Sequence, residues 1–347
     1  MIKKLALLFL ATIVVIAAFA GWAVLAPYRG FANETFVELP RGTGSRGMAE
    51  ALERAGVVRY SWAFLLQRAL RPSTKLQAGE YRFASAASVR EVFSRVARGD
   101  IYTFEFTAPE GSNMFDIARS LEEKGIMTAA DFLEAASQPA LIHDLAPNAQ
   151  NLEGFLFPST YRLTHSTHAA LLTKMMTDQF RKEWAKARSA ANTSTANMST
   201  ANVFNANMDP QEAVTLASLV EKETAVAEER PLVASVFANR LAKGMRLECD
   251  PTTIYAALLE DRYRGKIHKS DLASTNPYNT YQNAGLPPGP IANPGAAAIG
   301  AALAPAETKF LYFVAKPSGG GHQFSATLAE HAKAVQAYRN AAAHKAL

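Results

Sequence analysis

Two glutamates two residues apart, Glu221 and Glu223, stand in an otherwise apolar stretch, Ala217-Ser218-Leu219-Val220-Glu221-Lys222-Glu223-Thr224. Desolvation raises a carboxyl pKa, and a carboxyl that keeps its proton at neutral pH is a proton donor. The flanking residues predict a helix. Asp209 can cap it, Pro210 fits its first position and Glu212 sits where a capping box wants an acid. At about 100° per residue, Ala213, Leu216, Ala217, Val220, Thr224 and Ala227 fall on one apolar face, with the two glutamates on opposite shoulders. Leu219, Val220, Val226 and Ala227 would surround Glu223, whereas Ala217, Ser218, Thr224 and Ala225 would surround Glu221. Glu223 therefore has the more apolar setting and is the candidate acid. The plainer reading makes both of them ordinary shoulder glutamates.

Other chemistries find little support. His322 and His331 lie in no His-x-x-x-His or Cys-x-x-Cys spacing, and no acidic cluster replaces them, so no metal is expected. The single cysteine, Cys249, excludes an internal disulfide. There is no Gly-x-Ser-x-Gly elbow, and Gly42 to Gly47 lacks the ending of a phosphate loop. What remains is carboxylate chemistry without a cofactor, with Glu221, Glu223, Glu228 and Asp250 close in sequence. A net charge of +5 and a pI near 9.2 fit an anionic partner or surface. No basic stretch is interleaved with aromatic residues, which argues against nucleic acid.

The elements that must position these groups follow in order. Arg230-Pro231 ends the first helix and begins a second, containing Val233, Val236, Phe237 and Leu241 with Asn239-Arg240, so a helical hairpin could wall a cleft. Asp250 before Pro251 signals a turn or cap, and Thr252 to Leu259 reads as helical, with Tyr255 on it. Asn276-Pro277-Tyr278-Asn279-Thr280-Tyr281 and Gly285 to Gly295 form an ordered Pro/Gly-rich loop whose amides and hydroxyls suit sugars. A helix over Ala296 to Ala304, a strand at Phe310 to Val314, a glycine turn into a strand ending at Phe324 and a helix over Thr327 to Ala342 complete the chain.

Upstream, residues 1–4 carry Lys3 and Lys4, and residues 5–26 are an unbroken apolar run, long enough to cross a hydrocarbon core of about 30 Å. The lysines place the N-terminus in the cytoplasm and the rest outside, with a retained anchor favoured over a cleaved signal peptide. Residues 35–104 read as strand, two helices, strand and a third helix capped by Ser88. Part of this recurs: Pro40, Gly42, Ala49, Leu52, Glu53 and Gly56 reappear as Pro109, Gly111, Ala118, Leu121, Glu122 and Gly125. By element order the first module resembles LysM domains, which bind glycans containing N-acetylglucosamine; a packing module or spacer is the alternative. Residues 105–345 form a larger α+β domain. In it Leu152 to Tyr161 is aromatic, Leu171 to Ala187 is helical, and residues 192–207 are a low-complexity Ser/Thr/Ala/Asn insertion at the surface.

Ala217 to Ala225, Val236-Phe237-Ala238-Asn239-Arg240-Leu241, Asp250-Pro251-Thr252, Tyr278-Asn279-Thr280-Tyr281, Gly285 to Ile291, Leu311 to Ala315 and Gly321-His322-Gln323-Phe324 together resemble the YceG-like family of membrane-anchored endolytic murein transglycosylases. The resemblance spans nearly the whole chain; Cys249 and the insertion depart from it. It implies a peptidoglycan lytic transglycosylase of the inner (cytoplasmic) membrane. Such an enzyme cleaves nascent strands between N-acetylmuramic acid and N-acetylglucosamine, leaves 1,6-anhydro ends and works beside the synthases (penicillin-binding proteins). The catalytic acid is then the glutamate before Thr-Ala, Glu223. Glu221, Asn239, Asp250, Tyr255, Tyr278, Asn279, Tyr281 and His322 are the candidate substrate-binding residues. A lysozyme-type hydrolase using Asp250 or Glu221, and a silent murein-binding scaffold, are the alternatives. The older family label of aminodeoxychorismate lyase fits poorly, since that chemistry needs a pyridoxal cofactor.

Overall fold

The computed structural model describes residues 2–195 and 208–345. It is a mixed α and β chain that divides into two compact units, residues 1–105 with 162–167, and residues 106–161 with 168–347.

The first unit begins with α1 (Ile2–Leu25), an apolar helix long enough to cross a membrane. Then come β1 (Thr35–Leu39), α2 (Ser45–Arg54), α3 (Ser61–Leu70), β2 (Gly79–Phe83) and α4 (Val89–Arg98). β1 and β2 pair antiparallel, with Thr35 opposite Phe83 and Leu39 opposite Gly79. Their inward residues Val37, Leu39, Tyr81 and Phe83 meet Leu52, Phe64, Val92 and Phe93 from the helices in one core. Ser88 caps α4 by accepting from the Glu91 N–H, while the Glu91 carboxylate accepts from the Ser88 N–H at 2.7 Å. Gly99 closes α4 in the left-handed conformation, where a Cβ would strain the backbone.

The same pattern recurs from β3 (Phe104–Thr107), in which the first unit ends and the second begins. β3 leads to α5 (Met114–Glu123), which repeats α2 at a shift of 69 residues, Ser45 to Met114 and Arg54 to Glu123. Gly42 and Gly111 both have positive φ, as do Gly56 and Gly125, so the recurring glycines mark recurring turns. α6 (Ala129–Ala136) follows, and β4 (Thr160–Leu163) pairs with β3. α7 (Ala169–Thr195) runs farther than expected, into the first residues of the low-complexity stretch; residues 196–207 of that insertion lie outside the described residues.

α8 (Pro210–Glu223) is the centre of this unit. It packs against α9 (Arg230–Ala242), α10 (Asp250–Leu259) and α12 (Ala296–Leu303), with the short α11 (Lys269–Leu272) beyond α10. All eight residues from Ala213 to Val220 are buried, so α8 is enclosed on every side and not amphipathic as its pattern suggested. Its buried hydroxyls bond inward, Thr215 to the Gln211 carbonyl and Ser218 to that of Thr215, each at 2.7 Å. β5 (Tyr312–Ala315) and β6 (His322–Ser325) form an antiparallel hairpin under α13 (Leu328–Lys345).

Two substitutions separate capping from packing in the first unit. Ser88→Ala should cost about 1 kcal/mol, and Phe93→Ala about 3–5 kcal/mol. Equilibrium unfolding of both variants measures the contrast.

Candidate active site

α8 ends one turn earlier than its hydrophobic spacing indicates. Glu223 is its last residue, and Thr224 is extended with φ −141° and ψ 130°. The Thr224 hydroxyl accepts from the Val226 N–H at 3.1 Å, and a 3₁₀ turn, Ala227–Glu229, leads into α9. Ala227 is exposed, so Val226 and Ala227 do not shelter Glu223 as helical neighbours. The carboxyl instead leaves a helix C-terminus, where the backbone dipole already disfavours negative charge.

Side chains from distant segments enclose it. Glu223, Asp250, Tyr281, Arg240, Phe313 and His331 line a cavity of about 270 Å³. Burial holds the Glu223 carboxyl above the usual range; the Cys249 thiol, donating to it, and His322 oppose that shift, while the charge of Asp250 adds to it. Cys249 is itself buried. Its N–H donates to the Thr280 hydroxyl at 3.0 Å, and its carbonyl accepts from the Thr252 hydroxyl at 2.6 Å, so the thiol is fixed. Burial, then the facing Glu223, push that thiol well above its ordinary pKa, so it keeps its proton. Asp250 opens α10 and accepts from the Tyr281 hydroxyl at 2.6 Å.

The turn carrying Cys249 and Asp250 is held by α9. Arg240, buried and stacked over Tyr312, donates to the carbonyls of Arg246 at 3.1 Å, Leu247 at 3.0 Å and Leu311 at 2.7 Å. Glu248, with φ 51°, turns the chain there in a conformation costly for a side chain with a Cβ. On the opposite side Glu229 accepts from the His322 N–H at 2.8 Å and lies 2.7 Å from His322 Nδ1. A Cβ on Gly321 would collide with the Glu229 carboxylate, so this contact requires glycine. Burial acts on Glu229, but these bonds outweigh it and its carboxyl is lowered.

Of the residues singled out in the sequence, Glu223, Asp250 and Tyr281 share this cavity, and His322 acts on Glu223 electrostatically from beside it. The others face elsewhere. Glu221 is buried against Arg230 at 3.2 Å and accepts the Gly295 N–H at 2.9 Å, which fixes the start of α12. Asn239 donates to the Thr308 and Phe310 carbonyls, both at 2.9 Å. Asn279 is wholly buried, its amide donating to the carbonyls of Asp271, Leu272 and Ser274, so it braces the loop. Tyr255 is buried and donates to Glu153 at 3.1 Å, with the Tyr278 ring 5.1 Å away. Residues 289–295 of the Pro/Gly-rich loop are likewise buried, with the Ile291 N–H donating to Ser218 on α8 at 3.1 Å. The amides and hydroxyls of residues 276–281 were expected to suit sugars; those of Asn279 and Thr280 bond within the protein, as polar groups enclosed in a core do.

Cys249, Arg240, Phe313 and Glu229 were missed as site residues. The nearest local signal was Cys249 beside Asp250-Pro251; the others gave none. A larger hollow of about 710 Å³ lies toward the other end of α8, around Asp209, Gln211 and Pro288, away from Glu223. Among the described residues no three His, Cys, Asp or Glu side chains converge as metal ligands would.

The sequence profile of the YceG-like family matches residues 37–337. This chain belongs to the YceG-like family. It is 29% identical over 334 residues to the endolytic murein transglycosylase of Bacillus subtilis, covering 92% of this chain and 89% of that protein. It is 28% identical over 339 residues to the endolytic murein transglycosylase of Streptococcus pneumoniae, covering 88% of this chain and 58% of that longer protein. The crystal structure of a YceG-like protein from Listeria monocytogenes matches with a TM-score of 0.56 at 29% identity, covering 87% of this chain and 98% of that one.

Glu153 is buried and accepts from the Met114 N–H at 2.9 Å, Tyr255 at 3.1 Å and Asn293 at 2.8 Å. Burial nevertheless pushes its carboxyl up to about 7. The folded state then binds more protons than the unfolded state above the ordinary glutamate pKa. Stability from this group is full below that value, falls as pH rises toward about 7, and is level beyond. Glu153→Gln should flatten this slope, measured as the difference in unfolding free energy between about pH 5 and about pH 8.

Proposed function

We propose that this protein is an endolytic murein transglycosylase that cuts peptidoglycan glycan strands between N-acetylmuramic acid and N-acetylglucosamine. The observation that carries this reading is Glu223, a carboxyl whose pKa burial raises, at the wall of a cleft that Phe313 and Tyr281 also line. Protonated Glu223 gives its proton to the glycosidic oxygen as the bond to C1 breaks. The carboxylate so formed takes the proton of the muramyl C6 hydroxyl, whose oxygen closes on C1. A 1,6-anhydro end and a free hydroxyl result, with no water consumed and Glu223 regenerated. The Cys249 thiol can donate to Glu223 while it is ionised, and Asp250, oriented by Tyr281, places negative charge beside the developing oxocarbenium ion.

Asp250 in the same cavity also supports a second reading, hydrolysis by an activated water, and the two differ in product. Mass spectrometry of digested murein finds anhydro ends for the first and reducing ends for the second.

The wider reading assigns residues 5–26 to a single membrane span with Lys3 and Lys4 on the cytoplasmic side of the inner membrane. Residues 35–104 are a LysM-like glycan-binding module, its βααβ order being the support. Residues 105–345 are the catalytic domain, acting outside the membrane on nascent strands beside penicillin-binding synthases. A C-terminal fusion to alkaline phosphatase, active only outside the cytoplasm, should be active; activity confined to a cytoplasmic reporter overturns this orientation.

The two glutamates should separate cleanly. Glu223→Gln keeps the shape but cannot donate and recover a proton, and should lower anhydro-muropeptide release by about 10²–10⁴-fold or more while the protein still folds. Glu221→Gln weakens the contact with Arg230 and should lower the melting temperature more than the rate per folded molecule. For the wild type, the alkaline limb of the rate profile should lie above the ordinary glutamate range, since Glu223 must begin protonated.

A further inference from the structure

The last turns of α1 belong to two environments at once. Ala23 and Val24 are part of the core of the first unit, together with Phe64 and Phe93. Only Ala26 and Pro27 separate the end of α1 from Tyr28, which exchanges backbone hydrogen bonds with Ala87 at 3.0 and 3.2 Å. The helix and the module therefore meet without a hinge.

Outside that core an aromatic cluster joins α1 to the start of α3. The Phe19 ring lies 6.1 Å from Tyr60 and 6.0 Å from Trp62, Tyr60 stacks on Trp62 at 5.7 Å, and Trp22 stacks on Phe19 at 5.8 Å. The Arg59 guanidinium lies over Trp22 at 5.1 Å and Tyr28 at 4.7 Å. Trp62 and Leu70, eight residues apart and so on one side of α3, are 41% and 67% exposed, so among the described residues this apolar edge is left uncovered.

Length decides what covers it. At 1.5 Å per residue, a hydrocarbon core of about 30 Å takes about 20 residues. Counted from Leu5, just past Lys3 and Lys4, the core ends near Val24. Phe19 then lies about 7 Å inside it. Raising α1 until Phe19 cleared the hydrocarbon would leave the helix about five residues too short to cross. Because Trp62 and Tyr60 rest on Phe19, they must enter the boundary between acyl chains and headgroups. That is where amphipathic rings are stable, and where Arg59 would meet phosphate.

We infer that the start of α3 is a membrane-interface surface, and that the first unit rides partly sunk in the phospholipid bilayer that α1 crosses, with Trp62 in the acyl–headgroup boundary and Arg59 at the phosphates. This rests on the membrane-anchor reading of α1, and it assigns the module a fixed height and tilt on the bilayer.

The test uses the full chain in vesicles of phosphatidylethanolamine and phosphatidylglycerol. Trp22→Phe and Trp184→Phe leave Trp62 as the sole tryptophan. Phospholipid brominated high on its acyl chain should quench this fluorescence roughly two-fold, and aqueous acrylamide should quench it little. A companion adds Trp62→Phe and Val15→Trp, and should be quenched by lipid brominated deep in the chain. If the companion is quenched but Trp62 is reached only by acrylamide, the module stands clear of the membrane and the inference is overturned. Quenching of Trp62 by neither agent would mean that protein, such as a second copy of this chain, covers the patch, which also overturns it. If the companion itself is not quenched, the anchor reading fails and the inference falls with it.

Discussion

A helix buried on all sides can carry an ionisable group only near its ends. In α8 the residues from Ala213 to Val220 are enclosed, and any carboxylate there would face desolvation without partners. The two glutamates come just after that stretch, and the fold treats them differently. Glu221 is neutralised by Arg230 and by the Gly295 N–H, so it fastens α8 to α12. Glu223 receives no cation at bonding distance among the described residues; its protein donor is a thiol, a weak one. One of the pair is held by an ion pair, and burial raises the pKa of the other.

The walls around Glu223 come from five separated segments. α9 supplies Phe237 and Arg240, the turn into α10 supplies Leu247 and Glu248 with Asp250 at the helix start, the loop after α11 supplies Tyr281, β5 supplies Phe313 and α13 supplies His331. None of these segments is rigid alone. Arg240 ties the turn to the β5 edge through three carbonyls, and Thr280 and Thr252 bond to each other at 2.9 Å while holding the backbone of Cys249. Such a connected network of buried polar groups has no spare partners, so it defines one geometry. It also explains why so much of the polar loop, Asn279 above all, is engaged internally.

The repeated strand, Pro-x-Gly turn and helix serve different ends in the two units. In the first, β1 and α2 complete a small core that also encloses the end of α1, so the apolar helix and the module act as one body. In the second, the corresponding turn meets α8: the Gly111 carbonyl accepts from Lys222 at 3.1 Å, and the Gly111 N–H donates to the Asn293 carbonyl at 2.9 Å. A turn that closes a core in one copy thus anchors α8 and the buried loop in the other.

Much of the local structure was legible in the residues. The cap at Ser88, the glycines that end α4 and recur at the shift of 69 residues, the apolar run of α1 and the element order of the module all follow from preferences acting within a few positions. The pair Glu221 and Glu223, and the more apolar setting of the second, were legible too, although the helical neighbours offered as the reason are not what shelter it. Local preference could not say that α8 stops at Glu223, because Thr224 and Ala225 fit a helix as well as the extended turn they adopt. Nor could it say which loop amides face a cleft and which face a core, since Asn, Thr and Tyr suit both. Those outcomes depend on contacts between residues far apart in the chain, such as Cys249 with Thr280, Glu229 with His322 and Asn279 with Asp271. The sequence by itself determined most of the elements and set the two glutamates two residues apart; only the tertiary structure decided what surrounds each of them, because burial and hydrogen bonding are settled by what else arrives in the same space.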